Sequence, residues 1–264
     1  LAGIGAGALV GLILDRRPFP ADYALIFALA GAVLVPSYGA LASIREPPLA
    51  NSGSQADSPT RGGWLNILVN DPAFRRLMMC RMLVGMIDLA VPFYVGHAEK
   101  VFRLPASIVG GFVVAQTVAG VGASVVLGLV SERWGPRYVV RIGSAAAAAG
   151  PLFALLAHLA GSPWLAQAYP FVYVALGVIN SAWMLGFFNY LLEIAPPGMC
   201  PAYVGLSNTI MGALTLVPMA GGWLLEATSY PVLFGATAAL IGIGSLLTLG
   251  LKPLPGAAPA GGQP

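Results

Sequence analysis

The sequence predicts an all-α bundle of transmembrane helices, and three observations lead to this fold class. Only 9% of the residues are charged, whereas a typical soluble domain has about 25%. Apolar residues make up 58% of the chain, and its mean hydropathy is +0.82. The apolar residues form runs of about 20, the length that a helix needs to cross a bilayer core. Only helices and closed barrels can satisfy their backbone hydrogen bonds within lipid, and the runs lack the alternation of barrel strands, so helices are predicted.

Eight apolar segments follow one another, each bounded by charges or by proline and glycine. They cover about 1–14, 22–44, 76–96, 106–130, 138–159, 165–192, 202–225 and 230–251. The first is too short to span a bilayer and has neither the basic start nor the cleavage site of a signal peptide. We therefore expect it to be a helix cut at its start. The many glycines within the segments predict close helix–helix packing.

The connector at 45–75 is the longest between two segments and is the predicted boundary between two bundles. Its first part is rich in Pro, Ser, Asn and Gly, which is typical of a flexible linker. Its second part, GWLNILVNDPAFRRLMM, predicts a short helix on the membrane surface. We expect the end of an N-terminal bundle at 1–44, a six-helix bundle at 76–251 and a tail at 252–264.

The distribution of basic residues predicts the orientation of the helices. Nine follow the even-numbered segments or adjoin them: Arg45, Arg61, Arg75, Arg76, Arg81, Arg133, Arg137, Arg141 and Lys252. Four follow the odd-numbered segments: Arg16, Arg17, Lys100 and Arg103. Since cytoplasmic loops carry the excess of Lys and Arg, we expect the linker and the C-terminus to lie in the cytoplasm.

Several other classes of site and partner are disfavoured by the same composition. Cys80 and Cys200 are too few for a disulfide framework, and we expect reduced thiols. His97 and His158 lie far apart without a neighbouring Cys or His, so we interpret them as interfacial histidines and expect no metal or other cofactor. The small basic excess, 13 residues against 10 acidic ones, is typical of membrane loops and does not favour nucleic-acid binding.

The stretch GLVSERWGPRYVVR, from Gly128 to Arg141, holds four charged side chains between two apolar runs. Gly128 predicts a close approach of two helices, and Gly135 with Pro136 predicts a tight reversal. Glu132 is placed to pair with an arginine or to face the positive end of a neighbouring helix. A generic positive loop that fixes orientation is the alternative interpretation.

This stretch resembles the cytoplasmic loop motif of the major facilitator superfamily, G-x-x-x-(D/E)-R-x-G-x-(R/K). The matching residues are Gly128, Glu132, Arg133, Gly135 and Arg137. The stretch departs from the commonest form in having Glu132 for Asp, and Pro136 where a basic residue is frequent. NYLLEIAPPGMCPAYVGLSN and PMAGGWLLEATSY resemble later connections of bacterial members.

The resemblance covers almost the whole chain and implies an arrangement for it. Segments three to eight would be the complete C-terminal half of a bacterial carrier in the plasma or inner membrane. Segments one and two would end an N-terminal half whose remaining helices, about four, lie upstream. Glu132 would latch the cytoplasmic gate by reaching the start of segment one, near Leu1 to Gly5. Segments three, four, six and seven would line the solute pocket.

Asp88 is the most informative polar residue within a segment. A carboxyl at such depth costs at least about 2.5 kcal/mol and usually faces a cavity or a partner. Desolvation would favour its protonated form, which suits a proton-coupling group. The alternatives are a structural ion pair or a position nearer the outer interface. Pro92 predicts a kink just beyond it.

The remaining pocket candidates are Gln116, Asn180 and Trp183, which lie in segments that the resemblance assigns to the pocket. Asn180 and Trp183 share a helix face, three residues apart. Hydrogen bonding between helices is the alternative role for the two amides.

The expected function is secondary active transport of a small solute by alternating access, as an uptake or efflux carrier with protons as the candidate coupling ion. Besides solute and protons, we expect membrane lipids and the N-terminal half of the same protein as partners. The aromatic content favours an apolar or amphipathic solute. The alternative is a non-transporting receptor or scaffold with the same fold. An enzyme is disfavoured because no catalytic cluster is evident, and a nucleotide-driven pump because a P-loop is lacking.

Overall fold

The computed structural model describes residues 21–43, 63–105 and 108–252. The chain divides into two compact units, Leu1–Gln55 and Ala56–Pro264. In the first unit, α1 covers Ala21–Ala42 and contains Pro36. It coincides with the predicted segment at 22–44, whereas the predicted segment at 1–14 lies outside the described residues.

The described part of the second unit consists of helices joined by short connections and contains no strand. Its α-helices are α2 Gly63–Asn70, α3 Pro72–Gly85, α4 Tyr94–Phe102, α5 Ile108–Trp134, α6 Pro136–Ala160, α7 Pro163–Gln167, α8 Pro170–Ala182, α9 Asn189–Ile194, α10 Cys200–Gly212, α11 Val217–Ala227 and α12 Tyr230–Thr248. Short 3₁₀ turns cover Met86–Leu89, Val91–Phe93 and Ala213–Leu216. A π-helical turn covers Trp183–Phe188.

Six stretches of this unit are long and apolar enough to cross a membrane. We number them span 1 to span 6: Pro72–Phe102, Gly110–Trp134, Pro136–Ala160, Pro170–Ile194, Cys200–Ala227 and Tyr230–Thr248. Their bounds lie within about six residues of the predicted segments three to eight, because length and hydropathy are read directly from the sequence. The all-helical character predicted from composition is confirmed for the described residues, and six helices of this length and hydropathy are those expected of a multi-pass membrane protein.

Asp71 fixes the start of span 1. Its carboxylate accepts hydrogen bonds from the backbone N–H groups of Ala73 and Phe74, at 2.9 and 3.0 Å. Pro72 occupies the first helical position, where a missing N–H costs nothing. The Tyr203 hydroxyl donates to the other carboxylate oxygen at 2.7 Å. The helix cap therefore also ties span 5 to the start of span 1.

The reversal between spans 2 and 3 consists of one residue, Gly135. Its backbone has φ 87° and ψ 163°, a region that only glycine adopts without strain. Pro136 follows as the first residue of α6. The tight reversal predicted from these two residues is confirmed.

Spans 2 and 4 pack closely through small residues. A Cβ at Gly177 would collide with the carbonyl oxygen of Gln116 and lie 2.8 Å from the backbone nitrogen of Gly120. The Ser181 hydroxyl donates to the carbonyl of Gly120 at 2.8 Å. The close packing predicted from the glycine content is confirmed for this pair.

Two arginines define one end of the bundle, which we call the basic end. Arg76 donates to the carbonyl of Gly250 at 2.6 Å, and Arg141 donates to the carbonyl of Leu249 at 2.9 Å. These contacts satisfy carbonyls just beyond α12 and place positive charge at the negative end of its dipole. The opposite end, which contains His97, His158 and Tyr169, is called the histidine end below.

Candidate functional site

Three of the six spans are interrupted by turns that are not α-helical. Span 1 contains Met86–Leu89 and Val91–Phe93, span 4 contains Trp183–Phe188, and span 5 contains Ala213–Leu216. Spans 2, 3 and 6 are continuous α-helices. Such interruptions are uncommon and frequently accompany hinges and functional sites.

The region of span 1 around its first break packs against span 5. A Cβ at Gly85, just before the first break, would collide with the side chain of Leu214 in the break of span 5. A Cβ at Gly221 would collide with the carbonyl oxygen of Leu89. Gly221 lies within the stretch PMAGGW, whose small residues therefore allow close packing of span 5 on span 1.

Arg81 joins the three interrupted spans. It lies nine residues after Pro72, about 14 Å along the helix axis, and is half-buried. Its Nη1 donates to Ser207 Oγ in span 5 at 2.6 Å. Its guanidinium lies 5.8 Å from the ring centroid of Trp183, the first residue of the π-helical turn in span 4.

Most of the hydrogen-bonding capacity of Arg81 is unused within the described residues. A guanidinium has five N–H donors, and one of them is satisfied by Ser207. Nε is buried and has no acceptor. Within the described ranges no carboxylate forms an ion pair with Arg81. Because an arginine within a bilayer costs up to about 3.5 kcal/mol on insertion scales, an uncompensated one marks a candidate site.

Arg81 was counted among the basic residues at the helix ends that adjoin the cytoplasmic loops, but it lies deeper than a helix end. The residue lies inside span 1 and contacts two other spans. Without Arg81, the basic end of the described bundle still carries more basic residues than the histidine end. The six are Arg75, Arg76, Arg133, Arg137, Arg141 and Lys252, against Lys100 and Arg103.

Asp88 lies in the first 3₁₀ turn of span 1 and is half-buried. Its carboxylate makes no hydrogen bond or ion pair with any residue in the described ranges. Pro92 belongs to the next 3₁₀ turn, so the kink predicted there is present as an interruption of the helix. Seven residues, or about 10 Å along the span, separate Asp88 from Arg81.

The other predicted pocket residues are placed separately. Gln116 is half-buried in span 2, where its backbone carbonyl packs on Gly177. Asn180 is exposed on α8, three residues before Trp183. Trp183 contacts Arg81 and the ring of Phe187, whose centroid is 4.5 Å away. No hydrogen bond or ring contact joins any two of Asp88, Gln116, Asn180 and Trp183 in the described part of the chain.

The predicted gating motif surrounds the turn at Gly135. Glu132 and Arg133 are exposed in the last turn of α5, and Arg137 lies 4.8 Å from the ring of its neighbour Tyr138. A Cβ at Gly128 would meet no atom within 4 Å. The close helix approach expected there is therefore not found among the described residues. The stretch Leu1 to Gly5, which Glu132 was expected to reach, lies outside them.

A hydrogen-bonded histidine pair with one fully buried member was missed by the sequence reasoning. His97 is fully buried, and its Nε2 lies 2.9 Å from His158 Nδ1. Its Nδ1 lies 2.8 Å from the hydroxyl of Tyr169. These contacts correct the interpretation of His97 as interfacial, because the ring is enclosed within the bundle. Burial raises the pKa of the Tyr169 phenol, which therefore stays protonated as a partner of His97.

The histidine end also carries an open cavity of about 570 Å³. His158, Lys100, Glu226 and Tyr230 are among the residues that line it. His97 is fully buried and is therefore not exposed to this cavity. Within the described ranges no three His, Cys, Asp or Glu side chains are placed to hold a metal ion. Cys80 and Cys200 are free thiols.

No family model, curated protein or solved structure matches this chain. The site that joins most of the unusual features is the cluster of Arg81, Trp183 and Ser207. It unites an arginine with unmet donors and the three interrupted spans.

Proposed function

We propose that the chain belongs to a secondary active transporter of the major facilitator type, which moves a small solute by alternating access. The six spans are its C-terminal half, and the segments at 1–14 and 22–44 belong to its N-terminal half. The loop motif from Gly128 to Arg137 supports this proposal at the sequence level. The protein functions as an uptake or efflux carrier.

The convergence of the three interrupted spans on Arg81 is the observation that carries the proposal. A solute site in a transporter commonly lies near the membrane midplane, where broken helices meet. Continuous spans supply a rigid frame, whereas a 3₁₀ or π turn allows the two ends of a span to move separately. A passive scaffold has no need for a charged residue with unmet donors at this depth.

Asp88 is proposed as the proton-coupling residue. Its carboxylate has no partner within the described ranges, and it lies in a turn packed directly against span 5. A change of charge at Asp88 would therefore act where two interrupted spans meet. Protonation removes the cost of a buried negative charge and favours the state in which the carboxyl is enclosed.

The distribution of charge supports the orientation of the carrier. Six basic residues lie at the basic end against two at the histidine end, within the described bundle. This excess favours the basic end as the cytoplasmic one. The C-terminus then lies in the cytoplasm of a bacterial cell, and the histidine cavity opens to the other side.

Solute-driven proton movement tests the proposal. The full-length protein is placed in liposomes that contain a pH-sensitive dye, and three acid–amide pairs are added in turn: benzoate and benzamide, octanoate and octanamide, and benzenesulfonate and benzenesulfonamide. A transporter gives, for at least one solute, a dye response above that of protein-free liposomes, and Asp88→Asn abolishes this excess. Glu226→Gln, an exposed acid at the histidine end, is the matched control and retains it.

One result contradicts transport, and a second contradicts only the coupling role of Asp88. If wild type takes up none of the radiolabelled solutes above protein-free liposomes, the receptor or scaffold alternative is favoured. If Asp88→Asn leaves solute-driven proton movement unchanged, transport stands and Asp88 is not the coupling group.

A further inference from the structure

We propose that Arg81, Ser207 and Trp183 bind the single anionic group of an amphipathic solute, such as a carboxylate. This inference names the substrate class of the proposed carrier and rests on that proposal for its role in transport. The binding itself is argued from the three side chains.

The guanidinium of Arg81 presents an unused pair of donors. Ser207 accepts from Nη1 at 2.6 Å, which fixes that side of the guanidinium. The Nε and Nη2 donors on the other edge have no acceptor in the described part of the chain, and Nε is fully shielded from solvent. Two parallel N–H groups match the two oxygens of a carboxylate, which makes this edge the natural anion-binding face.

Trp183 supplies the second half of the site. Its ring faces the guanidinium at 5.8 Å, which holds the cation in place without consuming a donor. The same ring packs against Phe187, so an aromatic surface continues from the charged group. A solute with an anionic head and an apolar body matches both parts.

The surrounding charges favour one negative group over several. Arg81 is the only basic side chain within the described spans that contacts Ser207 or Trp183. The next ionisable group along span 1 is Asp88, about 10 Å away. A second negative charge on the solute would gain no partner and would face this carboxyl.

Anion binding requires a local movement of the spans, because Nε is now enclosed. The site lies between three spans that each contain a break. Opening at these breaks would expose the donor edge without unfolding any continuous span. The breaks therefore allow the movement that the enclosed Nε needs before it can bind an anion.

Calorimetric titration tests the inference without measuring transport. The chain in lipid nanodiscs is titrated with the same three acid–amide pairs used for the transport assay. At least one anion binds wild type about ten-fold more tightly than its neutral counterpart, and Arg81→Gln removes this difference. Arg81→Lys retains part of it, because an ammonium lacks the paired donors. Arg75→Gln, which changes an exposed arginine bonded to the Val69 carbonyl, leaves it intact.

The inference is overturned if wild type binds no anion more tightly than its neutral counterpart. A carboxylate of the protein itself that paired with Arg81 would give this result. It is equally overturned if Arg81→Gln retains the preference. If Arg81→Gln does not fold, Arg81→Lys and Ser207→Ala are tested in its place. The site is contradicted if both of these variants keep the full anion preference of wild type. Anion binding without transport contradicts the proposed function and leaves this inference standing. Transport of neutral solutes that Arg81→Lys does not affect contradicts this inference and leaves the proposed function standing.

Discussion

Arg81 and Ser207 are 126 residues apart in sequence, and their side chains are joined by a hydrogen bond of 2.6 Å. This bond links span 1 to span 5, and the first 3₁₀ turn of span 1 also packs against the helix that follows the break in span 5. Within the described residues, this is the hydrogen bond that holds the Arg81 guanidinium in place. Its energetic weight can be measured.

Ser207→Ala removes the acceptor of Arg81 and leaves a charged donor unpaired. A hydrogen bond to a charged group contributes about 1.5 to 3 kcal/mol, so the free energy of unfolding should fall by about that amount. Denaturant unfolding in detergent, followed by circular dichroism, measures the change. Thr209→Ala, an exposed hydroxyl bonded to the Gly205 carbonyl in the same helix, should change it by less than about 0.5 kcal/mol. Equal effects in the two variants would show that the Arg81 contact adds nothing.

Gly177→Ala tests the close contact between spans 2 and 4. The new methyl group would collide with the Gln116 carbonyl, and backbone cannot move aside as a flexible side chain would. We expect a loss of about 1 to 3 kcal/mol in the same unfolding assay. Gly122→Ala is the matched control, because a Cβ there meets nothing within 4 Å. The contact is refuted if both variants have the stability of wild type.

Gly135→Ala tests the one-residue turn between spans 2 and 3. At φ 87° an alanine is strained, so stability should fall by about 1 to 3 kcal/mol. Gly128→Ala should be neutral or slightly stabilising in the isolated chain, since the position is open and helical. The two variants are compared by thermal denaturation. If Gly128→Ala also lowers transport by the full-length protein, then Gly128 contacts a part of the protein outside the described residues.

Tyr169→Phe tests the buried contact with His97 through its pH dependence. Burial raises the pKa of the Tyr169 phenol above its ordinary value of 10.0. The folded state then keeps the proton when the unfolded state loses it, so this contribution is complete below pH 10 and decreases as pH rises above that value. Wild type should therefore lose its stability advantage over Tyr169→Phe between about pH 10 and pH 11. A constant difference from pH 8 to pH 11 would contradict this.

The positions of the six spans were predictable because they depend on local properties. Length, hydropathy and bounding charges suffice to place a helix such as span 3, predicted at 138–159 and found at Pro136–Ala160. The turn at Gly135 was also predictable, since glycine followed by proline favours a reversal that ends one helix and begins the next. None of these features requires knowledge of a distant partner.

The candidate site was less accessible to sequence reasoning because it depends on long-range packing. Trp183 was identified by its place on a helix face, whereas its contact with Arg81 requires the registers of spans 1 and 4. His97 and His158 are 61 residues apart, and nothing local predicts their hydrogen bond. Arg81 carried one available signal. A charge in the middle of the apolar run MMCRMLVGMI is more costly than a charge at its end, which indicates a role beyond orientation.

Alternating access of the Arg81 site is the central claim, and the accessibility of position 207 from both sides of the membrane tests it most directly. Ser207→Cys is placed in the full-length protein after Cys80 and Cys200 are replaced by alanine, and a membrane-impermeant maleimide is added to sealed vesicles of each orientation. Thr228→Cys at the histidine end and Lys252→Cys at the basic end are exposed controls that should each label from one side. A carrier gives labelling of position 207 from both sides, because the buried hydroxyl site opens to each in turn. Labelling of position 207 from one side only, or from neither, would contradict the account.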